Sequence, residues 1–124
     1  MPKRALAGRR VLVVEDEYFL ADELRQALAD AGATVVGPVP SVEGALDLLR
    51  NEAHPDAAVL DVNLGGEVGF PVADALADRG VPFLFTSGYD GATAPTRHTA
   101  VRWLEKPVEV AATLRALGRL LVDA

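Results

Sequence analysis

Apolar residues in this chain come in short continuous runs that alternate, five times over, with stretches of helical spacing. The first run, Arg10 to Val14, is β-branched and bounded by charges, with no polar residue at alternate positions, which suits a strand buried on both faces. From Glu17 the period changes. Leu20, Leu24 and Leu28 recur every four residues with Ala27 and Ala31 alongside, and Gly32 stands where a helix C-cap belongs. Val35 and Val36 make a brief second strand closed by Gly37-Pro38, and Ser41 is placed to cap a helix carrying Ala45, Leu46 and Leu49. Ala57 to Leu60 runs into Asp61, and after a loop with Gly65 and Gly66 a third helix carries Val72, Ala73, Leu76 and Ala77. Val81 to Phe85 and Val101 to Leu104 read as fourth and fifth strands. Lys106-Pro107 then turns sharply into a closing helix with Ala111, Leu114, Leu117 and Leu121 on its core face.

Strict alternation with short connections predicts an α/β fold: a doubly wound, flavodoxin-like, five-stranded parallel sheet of order 2-1-3-4-5 with five helices on its two faces. A length of 124 residues suits one core and is short for two, so the expectation is a single domain over 1–124 with its core at about 10–121. The weakest helix is expected within 88–99, where Gly88, Gly91, Thr93, Pro95 and Thr99 gather. Each interior Gly costs roughly 1 kcal/mol relative to Ala and Pro about 3, so this segment is expected to be loose.

The net charge of −6 gives no field that would gather a polyanion, so direct nucleic-acid binding is disfavoured. Lys3, Arg4, Arg9 and Arg10 read as a solvated terminus. With no cysteine there are no disulfides, thiolate metal sites or cysteine nucleophiles. No run approaches the ~20 apolar residues of a membrane span, and no signal-peptide stretch follows the first basic residues. A cytoplasmic location is the expectation. His54 and His98 have no second ligand at metal-site spacing and are read as surface or loop residues without a role.

On this scaffold Glu15 and Asp16 follow strand one, Asp61 ends strand three, Thr86-Ser87 follow strand four and Lys106 follows strand five. All lie at carboxyl ends of strands, outside which doubly wound sheets bind ligands where the strand order reverses. Glu15, Asp16 and Asp61 are therefore expected to converge. Three neighbouring carboxylates repel unless a divalent cation and an ammonium offset their charge, and Mg²⁺ with Lys106 meets that need. Oxygen-only ligation suits a hard octahedral ion and argues against zinc.

In these motifs the chain resembles the receiver domains of two-component response regulators. The likeness runs from about Arg10 to Leu121: Val-Leu-Val-Val-Glu15-Asp16-Glu is similar to the family's acid pair, Val-Leu-Asp61-Val-Asn63 to its phosphoacceptor segment, Ser87 to its hydroxyl switch residue, and Lys106-Pro107 to its lysine and cis-proline. Pro82-Phe83-Leu84-Phe85-Thr86-Ser87-Gly88-Tyr89 further resembles the signature of a single-domain subfamily nicknamed FAT GUY, with Thr86 in place of Ala and Ser87 in place of Thr. Trp103 stands where most receivers carry the Tyr or Phe that rotates on activation, and Gly65-Gly66 replace the usual Pro after the acceptor loop.

The resemblance implies a stand-alone regulator, without an output domain, that receives a phosphoryl group on Asp61 from a histidine kinase or phosphotransfer protein. By it, Asp16 and Asp61 bind Mg²⁺ through carboxylates, Asn63 supplies a backbone carbonyl and Glu15 holds a metal-bound water. Lys106 and Ser87 contact the phosphoryl oxygens, and Ser87, Trp103 and Tyr89 form the switch. Such a protein is no enzyme beyond phosphorylating and dephosphorylating its own Asp61. Its downstream partner is a protein, and pairing into a homodimer stays open. Two rivals stand beside it: a phosphorylation-independent adaptor of the same fold, and an aspartate-nucleophile phosphatase. The latter needs its nucleophile at the end of strand one, where Glu15-Asp16-Glu17 instead leads into a helix.

Overall fold

The computed structural model describes residues 6–51, 54–88, 98 and 100–123. Five parallel strands form the sheet in the order β2-β1-β3-β6-β7: β1 (Arg10–Val14), β2 (Thr34–Val39), β3 (Ala57–Asp61), β6 (Phe83–Ser87) and β7 (Trp103–Glu105). Four of the five expected helices are in place: α1 (Tyr18–Asp30), α2 (Val42–Arg50), α3 (Phe70–Asp78) and α4 (Val110–Asp123). The fifth, expected within 88–99, lies outside the described residues apart from Gly88 and His98, as do Tyr89, Lys3 and Arg4.

Successive residues of each central strand point to opposite faces, so an unbroken apolar run feeds two cores. Val11, Val13, Ala57, Val59 and Leu84 pack beneath α1 and α4 with Leu24, Leu28, Ala116, Leu117 and Leu121. Leu12, Val14, Ala58, Leu60, Phe83 and Phe85 pack beneath α2 and α3 with Ala45, Leu49, Val72, Ala73 and Leu76. Ser41 caps α2 as expected, its side chain accepting the Gly44 N–H at 3.0 Å, worth about 1 kcal/mol. Gly32 closes α1 with φ +87°.

Several details differ from the sequence reading. β6 and β7, expected over Val81 to Phe85 and Val101 to Leu104, stand one or two residues later, so that Thr86 and Ser87 end β6 instead of following it. β2 runs on through Gly37-Pro38 to Val39, with an irregularity between the pairs Leu12↔Val36 and Val14↔Val39. It is an edge strand, where a proline removes no ladder bond. The loop after Asp61 folds into an antiparallel ribbon, β4 (Asn63–Leu64) with β5 (Glu67–Val68). Its turn is Gly65-Gly66, both at positive φ (+62° and +92°), as a tight hairpin of this kind requires. On α4, Ala111 faces outward and Thr113 and Ala116 take the core positions beside Leu117 and Leu121.

Candidate functional site

β1 and β3 are adjacent, but their connections leave on opposite sides of the sheet, which opens a cleft at their carboxyl ends. Asp16, Glu17, Asp61, Asn63, Gly65, Gly66, Gly88 and Lys106 line it. Glu15, Asp16 and Asp61 each bring a carboxylate oxygen within 4.8 Å of the others. Asp61 and Glu15 are almost fully buried while Asp16 is exposed, so two charges are desolvated and one faces water.

Lys106, which follows β7, reaches back across the sheet end. Its Nζ donates to Asp61 Oδ2 at 2.9 Å and to Glu15 Oε2 at 3.2 Å, with Glu17 Oε1 at 3.3 Å. The Lys106-Pro107 peptide is cis. Burial works against the ammonium, but the hydrogen bonds and attraction of Asp61 and Glu15 outweigh it, and the Lys106 pKa is raised. Burial, reinforced by the hydrogen bond and charge of Asp61, pushes the Glu15 carboxyl up to about 8, against the opposing pull of the Glu17 N–H and Lys106. Near neutral pH Glu15 therefore keeps its proton, beside the Asp61 carboxyl that helps to raise it.

Three further side-chain oxygens are tied to backbone. Asp61 Oδ1 accepts the Asn63 N–H at 3.0 Å, Asp16 Oδ2 accepts the Gly65 N–H at 2.8 Å, and Asn63 Oδ1 accepts the Gly66 N–H at 3.1 Å. The ribbon turn thus fixes the acids. Gly69 carries a constraint of its own: a Cβ there would lie 2.8 Å from the Asp61 carbonyl oxygen, too close for any side chain. Its N–H donates to the Val62 carbonyl at 2.6 Å, pulling the start of α3 against the acceptor strand.

The structure brings Glu15, Asp16, Asp61, Asn63 and Lys106 together. Ser87 sits at the same sheet edge, but it is buried, and Gly88 rather than Ser87 forms the cleft wall. Its carbonyl accepts the Lys106 N–H at 2.8 Å, joining β6 to the lysine loop. Thr86, paired with Asp61 across the strands, is buried with its hydroxyl unpartnered among the described residues. Trp103 lies against Phe85 with ring centroids 4.7 Å apart, and Phe85 also meets Phe70 and Phe83 edge-on.

Sequence reasoning missed Glu17, Gly69 and His98. Glu17 was legible as a third acid in the run. Gly69 was not, because its constraint is a contact with another strand. His98 is no surface histidine: it is 1% exposed, packed against Phe83 and Phe85, with Nε2 2.7 Å from Asp74 Oδ1.

A family model for the response regulator receiver domain matches residues 11–117. The chain belongs to that family, and its role lies in two-component signalling. Among curated relatives it is 33% identical over 104 residues to the sensory transduction protein LytT of Bacillus subtilis (strain 168), covering 81% of this chain and 43% of that protein. It is 36% identical over 118 residues to the response regulator MprA of Mycobacterium sp. (strain KMS), covering 89% of this chain and 50% of that one. The chain thus spans about half the length, or less, of these relatives. Among solved structures, SdrG from Sphingomonas melonis Fr1 is 38% identical with a TM-score of 0.75, covering 94% of this chain and 98% of that one. A response regulator receiver protein from Sinorhizobium medicae WSM419 is 27% identical with a TM-score of 0.81, covering 94% and 97%. Among the described residues no helix is long and apolar enough to cross a membrane.

Proposed function

We propose that this chain is a Mg²⁺-dependent phosphorylation switch in the cytoplasm, whose Asp61 accepts a phosphoryl group from a histidine kinase or a phosphotransfer protein. The observation that carries this reading is the contact of Lys106 Nζ with both Asp61 and Glu15 beside the exposed Asp16. A buried acid held by a lysine next to an open acidic cleft suits in-line transfer better than a purely structural ion pair, which gains little net stability.

A carboxylate oxygen of Asp61 forms a bond to phosphorus as the bond to the donor's imidazole nitrogen breaks, and the electron pair leaves with that nitrogen. The Asn63 N–H on Oδ1 holds the carboxylate in one orientation for attack. Lys106, already 2.9 Å from Oδ2, is close enough to turn to the incoming phosphoryl oxygens and neutralise them. The donor set of hard oxygens fits Mg²⁺, which Asp16 and Asp61 would hold with Glu15 and Asn63 beside it, supplying positive charge to the carboxylates and the phosphoryl group.

Ser87 is buried at the end of β6, so meeting a phosphoryl oxygen requires that strand end to move. That movement is the switch, and Phe85 hands it to Trp103. Tyr18 and Phe19, 75% and 80% exposed at the start of α1, follow directly on the acidic run Glu15-Asp16-Glu17 and offer a phosphodonor protein an apolar landing. The chain performs no chemistry beyond gain and loss of its own phosphoryl group. The test is transfer from a phosphorylated histidine kinase: Asp16→Asn should abolish it and EDTA should stop the wild type. Transfer at the wild-type rate in Asp16→Asn would remove the metal from the reading.

A further inference from the structure

His98 makes a contact that the acceptor chemistry does not use. Its ring is buried, yet its Nε2 reaches Asp74 Oδ1 on α3 at 2.7 Å, and Asp74 is half exposed. The contact is a hydrogen bond to the carboxylate in the tautomer that carries the ring proton on Nε2. The ring lies edge-on to Phe83 and Phe85, at 5.7 Å and 6.1 Å between centroids. The His98 carbonyl accepts the Val101 N–H at 3.1 Å, just ahead of β7, and the next residue, Arg102, is tied to β6 by its carbonyl, which accepts the Phe85 N–H at 2.9 Å.

Resting on the reading of Asp61 as the acceptor, we propose that the His98–Asp74 bond is a latch: it holds the chain ahead of β7 against α3 in the resting state and opens when the acceptor is loaded. The coupling element is β6. One strand carries Phe83 and Phe85, which support the His98 ring, and ends at Ser87, which must move toward the phosphoryl group. Moving that strand end disturbs the floor under the imidazole.

The asymmetry of the pair makes the opening two-state. Asp74 can return to water at little cost, whereas an imidazole that lost Asp74 while staying buried would strand a polar group in an apolar pocket. Loss of the bond and departure of the ring from its pocket therefore occur together. Packed cores change between discrete arrangements of this sort rather than deforming smoothly.

Two measurements test the latch. In ¹⁵N-labelled protein with Mg²⁺, the His98 Nε2–H signal should be protected from exchange without the phosphate mimic BeF₃⁻ and lost with it, while the backbone signals of Asp61 and Asn63 shift. In Asp74→Ala the BeF₃⁻ concentration for half-maximal change in Trp103 fluorescence should fall roughly threefold or more, because a bond made only in the resting state has been removed. A His98 signal that persists while Asp61 and Asn63 move would overturn the latch, as would an unchanged or raised half-saturation in folded Asp74→Ala. If Asp61 and Asn63 do not move at all, the acceptor reading itself fails and takes the latch with it.

Discussion

Lys106 Nζ donates to Asp61 Oδ2 at 2.9 Å across the ends of β7 and β3, spanning the β6 strand between them. A lysine placed so neutralises the acceptor before any phosphoryl group arrives, and the same ammonium can then turn to the new oxygens. Lys106→Ala should keep Mg²⁺ binding within severalfold of wild type but lose most of the Trp103 fluorescence change on addition of BeF₃⁻. It should also lower stability by about 1–3 kcal/mol in urea denaturation at pH 8, since Asp61 and Glu15 are left without a cation. A full fluorescence response in this variant would reduce Lys106 to a structural charge.

The proton held at Glu15 gives a pH dependence. Its folded-state pKa is raised from 4.5 to about 8, so its contribution to stability is fully present below about pH 4.5 and is lost as pH rises through 8. Mg²⁺ must displace that proton, so its affinity should rise from pH 6.5 to 8.5 and level off above. Calorimetric titration of wild type and Glu15→Gln checks this: the variant should bind more weakly and lose the slope over that range. A wild-type affinity independent of pH would contradict the proton at Glu15.

Thr86 buries a hydroxyl with no partner among the described residues. A shape-matched apolar replacement removes an unsatisfied group without opening a cavity. Thr86→Val should leave the free protein as stable as wild type or up to about 1 kcal/mol more stable. Urea unfolding reads the difference, and a loss beyond about 1 kcal/mol would show that the hydroxyl is bonded.

At Gly69 even a methyl group would press on the Asp61 carbonyl, so the acceptor strand or the start of α3 must shift. Gly69→Ala should destabilise by about 1–3 kcal/mol and slow phosphorylation by acetyl phosphate, although residue 69 touches no substrate. Unchanged phosphorylation would mean that the strand tolerates the shift.

The strands and the acidic site were legible because unbroken apolar runs such as Val11 to Val14 and Ala57 to Leu60 announce burial on both faces, and the acid after each run, Glu15 or Asp61, marks a carboxyl edge. What stayed hidden depends on tertiary context. Asn63–Leu64 and Glu67–Val68 are too short to show a period. β2 passes through a proline that only an edge strand accepts. Ala111 and Thr113 exchange roles because small side chains leave the helix face undecided until α4 meets the sheet. His98 is buried through Asp74, 24 positions away, a pairing no local pattern signals.

The most direct measurement of the central claim is mass spectrometry of the protein treated with acetyl phosphate and Mg²⁺, with the modified peptide located by fragmentation after borohydride trapping of the acyl phosphate. The expected result is one phosphoryl group on Asp61, absent without Mg²⁺ and absent in Asp61→Asn. An unmodified wild-type protein, or a phosphoryl group that persists elsewhere in Asp61→Asn, would contradict it.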